Sequence, residues 1–297
     1  MLTFDTTRLS PVQLQNYLQY AIAPRPICLA STIDKNGQIN LSPFSFFNMF
    51  STNPPICVFA PARRVRDNTT KHTYENILEV KQCVINIVNY EMVQQMSLSS
   101  AEYPKGINEF DKAGFTMLKS DLVQPPRVAE SAVQFECTVN DVVELGKNAG
   151  AGALIIAEIK LIHINENILD SDGKIDQQKI DLVARLGGDW YCRVSKENLF
   201  KVPKPLKTPG IGVGALPEQA RNSTLLTGND LGLLGSAGHL PTQEEMQQIR
   251  SLGEVKNILE TKENVVKKLH MFAHQLLQEE KMREALAIIF LSNEQSF

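Results

Sequence analysis

Residues 27–42 place the tightest constraint on what this chain can fold into. Ile27, Leu29, Ser31 and Ile33 alternate with Cys28, Ala30 and Thr32. Neither set is strongly polar, which suits a strand covered on both faces, as in a filled barrel. Asn36-Gly37 follows. The pair tolerates positive φ and is the strongest short hairpin signal in the chain, so residues 38–42 are expected to return as the second strand.

More strands are needed to close such a sheet, and the sequence supplies them. Residues 56–60 and 83–88 are rich in β-branched side chains, and residues 134–145 and 153–164 form the two longest strand-like runs, joined by a glycine-bearing turn at 146–152. Residues 182–194 hold a shorter strand-like piece with Gly187-Gly188 and the single tryptophan, Trp190. Helices are expected where apolar spacing changes to three and four. Ser10-Pro11-Val12-Gln13 combines a hydroxyl cap, a first-turn proline and a glutamine three residues after the cap. Residues 71–80 and 92–98 read as two more helices, and residues 103–119 as a long excursion broken by Pro104, Gly106 and Gly114.

Composition changes at Val202. Prolines 203, 205, 209 and 217, with glycines 210, 212 and 214, predict a surface linker over residues 201–240. Beyond it, Thr242-Gln243-Glu244-Glu245 is a capping box, and Val265, Leu269, Phe272 and Leu276 keep helical spacing. The expected division is a mainly β domain over 1–200, the linker, and a helical extension over 241–297.

Several function classes lose support here. A net charge of -3 gives no basic field for nucleic acid. No apolar run approaches the ~20 residues of a membrane span, and residues 1–10 lack the cationic and apolar regions of a signal peptide. Five scattered cysteines without a C-x-x-C pair are expected to be reduced core thiols of a cytoplasmic protein. Gly210-Ile211-Gly212-Val213-Gly214-Ala215 follows a proline-rich stretch rather than a strand, so the dinucleotide-binding context is missing. His270 and His274 have the spacing of a metal pair, but no third ligand is evident, and an amphipathic-face pair is the simpler reading. No serine has a Gly-x-Ser-x-Gly setting.

Two stretches carry chemistry. Residues 44–50 contain four phenylalanines in seven positions. Phe44 and Phe50 are expected in the core, whereas Ser45, Phe46, Phe47 and Asn48 interleave polar groups with rings between strands, where free backbone N–H groups can meet the polar edge of a flat ligand. Downstream lie Arg63, Arg64, Arg66 and Lys71. Lys71 and Thr73 stand at an expected helix start, where unpaired N–H groups and the macrodipole favour an anion, and Arg63 can approach from the preceding strand. Together they predict a cradle for a planar ring with a phosphate tail. The residues alone leave haem or pyridoxal phosphate open as that ring.

These motifs, taken in order, resemble the flavin reductase-like, FMN-binding split-barrel family. The carriers are Arg25-Pro26-Ile27, Ala30-Ser31-Thr32, residues 34–37, Asn40-Leu41-Ser42-Pro43-Phe44-Ser45-Phe46-Phe47, Pro54-Pro55, Lys71-His72-Thr73 with Asn76, Val84-Ile85-Asn86, Glu136-Cys137 and Ile156-Ala157-Glu158. The resemblance covers about residues 20–194 and implies a six-stranded antiparallel Greek-key barrel with helices, here followed by a helical C-terminal extension. It implies a homodimer with FMN near the subunit interface. It places Ser31 and Thr32 beside the isoalloxazine, Ser45, Phe46, Phe47 and Asn48 at its polar edge, and Arg63, Lys71 and Thr73 on the phosphate. His72 stands where the family commonly has an acidic residue, and Ala157 replaces a frequent glycine. The implied activity is that of an FMN-dependent oxidoreductase. NADH or NADPH would be the transient donor and a small molecule or protein the second acceptor. The alternative is an FMN-binding or electron-relay module that does not turn over by itself.

Overall fold

The computed structural model describes residues 1–202, 209–261 and 263–295. Pro203 and Pro205 of the expected linker lie outside the described residues. The chain divides into two compact units, Met1–Phe200 and Lys201–Phe297.

The first unit opens with α1 (Pro11–Ala21), held at its start by the expected Ser10–Gln13 capping box with Pro11 in the first turn. Then come β1 (Arg25–Pro26), β2 (Cys28–Ile33), β3 (Ile39–Phe44), β4 (Phe47–Thr52), β5 (Pro55–Phe59), α2 (His72–Glu79), β6 (Gln82–Ile87), α3 (Val93–Leu98) and α4 (Glu109–Ala113). The short pair β7 (Met117–Leu118) and β8 (Arg127–Val128) precedes the long hairpin β9 (Val133–Glu144) and β10 (Ala153–Ile164), and β11 (Val183–Arg185) and β12 (Tyr191–Arg193) end the unit.

Seven strands form one antiparallel sheet in the order β3-β2-β6-β9-β10-β5-β4. That is one strand more than the six expected. The addition is β4, which pairs only with β5 and forms an edge. The β2–β3 hairpin turns where Asn36-Gly37 predicts, with Gly37 at φ +83. Asp34 Oδ1 holds the turn by accepting from the N–H groups of Asn36 and Gln38.

Strand β2 is buried on both faces, as its two apolar sets require. One face joins Cys28 and Ala30 to Phe44, Cys57, Phe59, Ile77, Cys83, Ile85 and Cys137 in the barrel interior. The other joins Ile27 and Leu29 to Leu41, Met92, Met96 and Phe110 beneath α3 and α4. All five cysteines are free thiols; four are buried and Cys192 is partly exposed. Phe44 is buried as expected, but Phe50 is 69% exposed, correcting its core reading. It lies on β4, an edge strand with no other strand paired on its outer side among the described residues.

A second correction concerns residues 182–194. The glycines and Trp190 form a turn between β11 and β12, making a hairpin in a three-stranded sheet with order β1-β11-β12.

In the second unit, residues 209–240 are folded rather than a bare linker. They hold α5 (Glu218–Arg221) and α6 (Gly228–Gly235), and Leu216, Ala220, Leu226 and Leu234 enter the helical core. The apolar residues between the prolines and glycines account for this. The expected Thr242–Glu245 box caps α7 (Gln243–Ser251), followed by α8 (Gly253–Glu260), α9 (Val265–Gln278) and α10 (Met282–Glu294). Leu269, Phe272 and Leu276 of α9 pack with Leu286, Ile288 and Ile289 of α10. His270 is not on a surface face. It is buried, and its ring nitrogens meet Ser223 Oγ at 2.9 Å and Ser292 Oγ at 3.1 Å. His274 instead contacts Asp230 at 2.9 Å. Among the described residues no helix is long and apolar enough to cross a membrane.

Candidate functional site

A groove of about 630 Å³ opens on the first unit between the α1–β1 connection and β4. Ser45, Phe46, Phe47 and Asn48 line it, with Arg25, Val58, Ala60 and Leu154. Its volume falls in the range typical of small-molecule sites. A much smaller cavity, about 10 Å³, lies against Arg63, Thr70, Lys71, Tyr74 and Glu144. Consecutive residues connect the two: Ala60 and Leu154 line the groove, and Pro61 and Ala153 the cavity.

Within the groove, Phe46 is partly exposed and its carbonyl accepts from Ala60 N–H at 2.8 Å. Phe47 pairs with Phe59 on β5 and is half-buried. Asn48 is exposed; its Oδ1 accepts from Met49 N–H at 2.8 Å, so its NH₂ group points elsewhere. Ser45 Oγ lies 3.5 Å from Arg25 Nε.

Arg25 is the residue that sequence reasoning passed over except as a motif carrier. Its guanidinium donates to the carbonyls of Gln19 and Ile22, both at 2.6 Å, and of Leu186 at 2.8 Å. It therefore ties the C-terminal end of α1, where a cation is favoured, to the β11–β12 hairpin and to the groove floor, 5.9 Å from the Phe46 ring centroid. A cation set between Pro24 and Pro26 just past a helix was the available signal.

At the cationic end the expected residues separate. Lys71 is the N-cap of α2. Its ammonium sits 5.5 Å from the Phe44 ring centroid and has no hydrogen bond or ion pair among the described residues. Burial holds its pKa below the usual lysine value; neighbouring Arg64 adds to this and Glu102 opposes it. Arg63 is half-buried and spends its guanidinium on Asn68, at 2.8 Å to Oδ1 and 2.9 Å to the carbonyl. Arg64 and Arg66 are paired with Glu102. Thr73 is fully buried, its Oγ1 accepting from Asn40 Nδ2 at 2.8 Å. Its side chain is thus committed inside the fold, while the first N–H groups of α2 have no intrahelical partner. Glu144 lies in the same cavity and accepts from Tyr74 OH.

Ser31 and Thr32 are both fully buried. As strand neighbours they point to opposite faces. Thr32 Oγ1 accepts from Asn76 Nδ2 at 3.3 Å beneath α2, whereas Ser31 Oγ has no hydrogen-bond partner among the described residues. A buried hydroxyl without a partner is costly unless a further group supplies one. His72 lines a different small cavity with Asn40, Asn76 and Lys105. Burial lowers its pKa, so it brings no extra cation at neutral pH.

One cluster not singled out from the sequence has metal-like composition. Asp121, Glu136 and His163 bring ligand atoms within 4.8 Å of one another. Glu136, however, already accepts from the N–H groups of Asp121, Leu122 and Val123 and contacts His163 Nε2 at 2.8 Å. Its oxygens are saturated, and the arrangement anchors the 121–123 loop.

Residues 20–178 match the flavin reductase like domain family. The chain is 37% identical over 181 residues to an uncharacterized protein of Aquifex aeolicus, spanning 61% of this chain and 90% of that one. Among solved structures it is similar to a candidate flavin reductase with split barrel domain from Shewanella frigidimarina. The identity there is 28% and the TM-score 0.57, with 67% of this chain and 95% of that one covered. It also shares its fold with nitrilotriacetate monooxygenase component B from Bacillus cereus, with TM-score 0.63, 24% identity, and coverage of 68% of this chain and 98% of the other.

Proposed function

The chain belongs to the flavin reductase-like family, and we propose that it is an FMN-dependent oxidoreductase that takes electrons from NADH or NADPH and delivers them to a second acceptor. The observation that carries this reading is a pairing. A groove large enough for a ring system adjoins, through residues 60–61 and 153–154, a cavity lined by a half-buried ammonium that is unpaired among the described residues and stands at a helix start. Such an ammonium is desolvated with only the Phe44 ring and the charge of Glu102 to offset it, and an anionic group restores what it lacks.

In this reading Ser45, Phe46, Phe47 and Asn48 line the ring site and Lys71 holds the phosphate, helped by the free N–H groups of α2. Arg63 holds Asn68 with two of its five N–H donors and keeps the others for the phosphate. Thr73 contributes its backbone, because its hydroxyl is bound to Asn40. Thr32 and Ser31 are buried and line neither the groove nor the cavity, and the Ser31 hydroxyl, partnerless among the described residues, is a further place for a polar contact. Bound there, the flavin supplies the redox chemistry, and the protein supplies placement and electrostatics. Arg25 fixes the groove wall by holding α1 and the hairpin together. No general base is required of this chain.

Two measurements test the proposal. Denaturation of purified protein should release FMN, identified by mass. Anaerobic addition of NADH or NADPH should then bleach the bound chromophore rapidly. Bound flavin that neither nucleotide bleaches would favour the relay module, and absence of flavin after reconstitution would remove the proposal. We further propose a homodimer, supported by edge strand β4 with Met49 and Phe50 more than 60% exposed; such an edge invites covering. A monomeric mass by light scattering would exclude it.

A further inference from the structure

A second cleft, of about 420 Å³, lies between α3 and the β11–β12 hairpin. One wall is the face of the hairpin that carries Arg185, Tyr191 and Arg193; Arg185 pairs with Tyr191 across the strands. The other wall is α3, where Gln94 and Ser97 lie three residues apart on one face. Both are exposed, and neither side chain has a partner among the described residues.

Each arginine lies on a phenol ring. The Arg193 guanidinium sits 3.8 Å from the Tyr90 centroid and the Arg185 guanidinium 4.5 Å from that of Tyr191. A guanidinium set over one ring has a second face that can stack with another flat group. The charges differ, however. Arg193 is neutralised by two 2.7 Å contacts to Asp181. Arg185 donates to Tyr191 OH and to the Gly188 carbonyl. Its nearest carboxylate is Asp189 at 4.0 Å, fully exposed at the rim, where water screens the pair. With two of five N–H donors used, three remain.

A second observation points the same way. Arg185 stands opposite Arg25 in the β1–β11 pairing, and the two charges repel, lowering the pKa of Arg25 beyond the effect of its burial. Like charges directly opposed across strands are destabilising. Three N–H groups of Arg25 go to carbonyls and its Nε faces Ser45 Oγ, so a counter-anion is more readily taken at Arg185.

We propose that this cleft is a second ligand site, distinct from the FMN groove, which takes a small aromatic carboxylate. Its carboxylate meets the free N–H edge of Arg185, its ring stacks on the guanidinium faces, and Gln94 and Ser97 hydrogen-bond ring substituents. The volume suits a single-ring molecule rather than a dinucleotide.

Trp190, the only tryptophan, is 70% exposed in the hairpin turn between Asp189 and Tyr191 of the cleft lining, and serves as the nearby reporter. The experiment titrates full-length protein, with and without FMN, with benzoate, benzamide and inorganic phosphate while Trp190 emission is followed. Saturable quenching by benzoate is expected, with benzamide and phosphate at least ten-fold weaker. Arg185→Gln should weaken benzoate at least ten-fold. Ser97→Trp, placed on the exposed face of α3, should block it with little risk to folding; its added indole is allowed for by competition with unlabelled benzoate in ligand-observed NMR. An equal response to benzamide, an equal response to phosphate, or unchanged benzoate binding in either variant would overturn the proposal. FMN-free protein that still binds benzoate separates this site from the flavin reading.

Discussion

Replacing Lys71 with methionine removes one charge and almost no volume. Without ligand, the ammonium makes no ion pair among the described residues, is desolvated, and sits near Arg64. Its removal should therefore leave the thermal midpoint unchanged or slightly raised. With FMN the balance reverses. The variant loses one charge-assisted hydrogen bond to phosphate, worth roughly 1.5–3 kcal/mol, so the FMN Kd should rise about 10- to 100-fold at 1.4 kcal/mol per decade. Riboflavin, which has the ring but no phosphate, is the control, and its affinity should not change. Fluorescence titration of both flavins against both proteins gives the coupling between Lys71 and the phosphate. A second readout is pH. Because burial lowers the pKa of Lys71, FMN affinity should begin to fall below the ordinary lysine pKa of 10.5 as pH rises. Equal weakening of FMN and riboflavin, or no change in either, refutes the reasoning.

Arg25→Met strands three carbonyl acceptors around a buried site; a loss of about 2–4 kcal/mol is expected, and a urea-unfolding loss below ~1 kcal/mol would show that water replaces the guanidinium. Burial raises the pKa of Glu136, but the N–H groups of Asp121, Leu122 and Val123, with His163, outweigh it and hold the carboxyl below its ordinary value. Its stabilisation is therefore present above the ordinary carboxylate range and lost as pH falls through the depressed folded value, and Glu136→Gln should flatten that acid limb in pH-dependent melts. His270 is held neutral by burial, its folded pKa below 6.5. As pH falls below 6.5 the unfolded chain binds a proton that the fold resists, so second-unit stability should drop there and stay level above it. Retained stability at acid pH would show that His270 protonates in place. A Cβ added at Gly187 would overlap the Tyr20 ring, so Gly187→Ala should displace that ring and cost about 1–3 kcal/mol, measurable as a lowered melting temperature.

What could be read ahead of the structure was local. The Ser10 and Thr242 capping boxes and the Asn36-Gly37 turn rest on contacts within a few residues, the long β9–β10 hairpin on two runs adjacent in sequence, and all formed where expected. Position within the sheet was less legible. Phe44 and Phe50 look alike in sequence, yet only the strand order makes one interior and the other an edge residue. The same holds at the cationic end. Lys71 and Thr73 are both natural anion ligands at a helix start, but Asn40, 33 residues earlier, claims the threonine hydroxyl. Arg25 acts through Leu186, 161 residues away, a distance no motif spans. Residues 209–240 looked like linker because proline and glycine dominate locally, whereas the sparse leucines among them fill a helical core.

The thiols inside the barrel give the fold a built-in clock. Cys28, Cys57, Cys83 and Cys137 come from four different strands and none is more than 2% exposed. An alkylating reagent can reach them only in molecules whose strands have parted, while Cys192, outside the interior, reacts at once and calibrates the reagent. The lag between fast and slow labelling measures how often the sheet opens, and any tight-binding ligand that clamps the strands should lengthen it without touching a single sulfur.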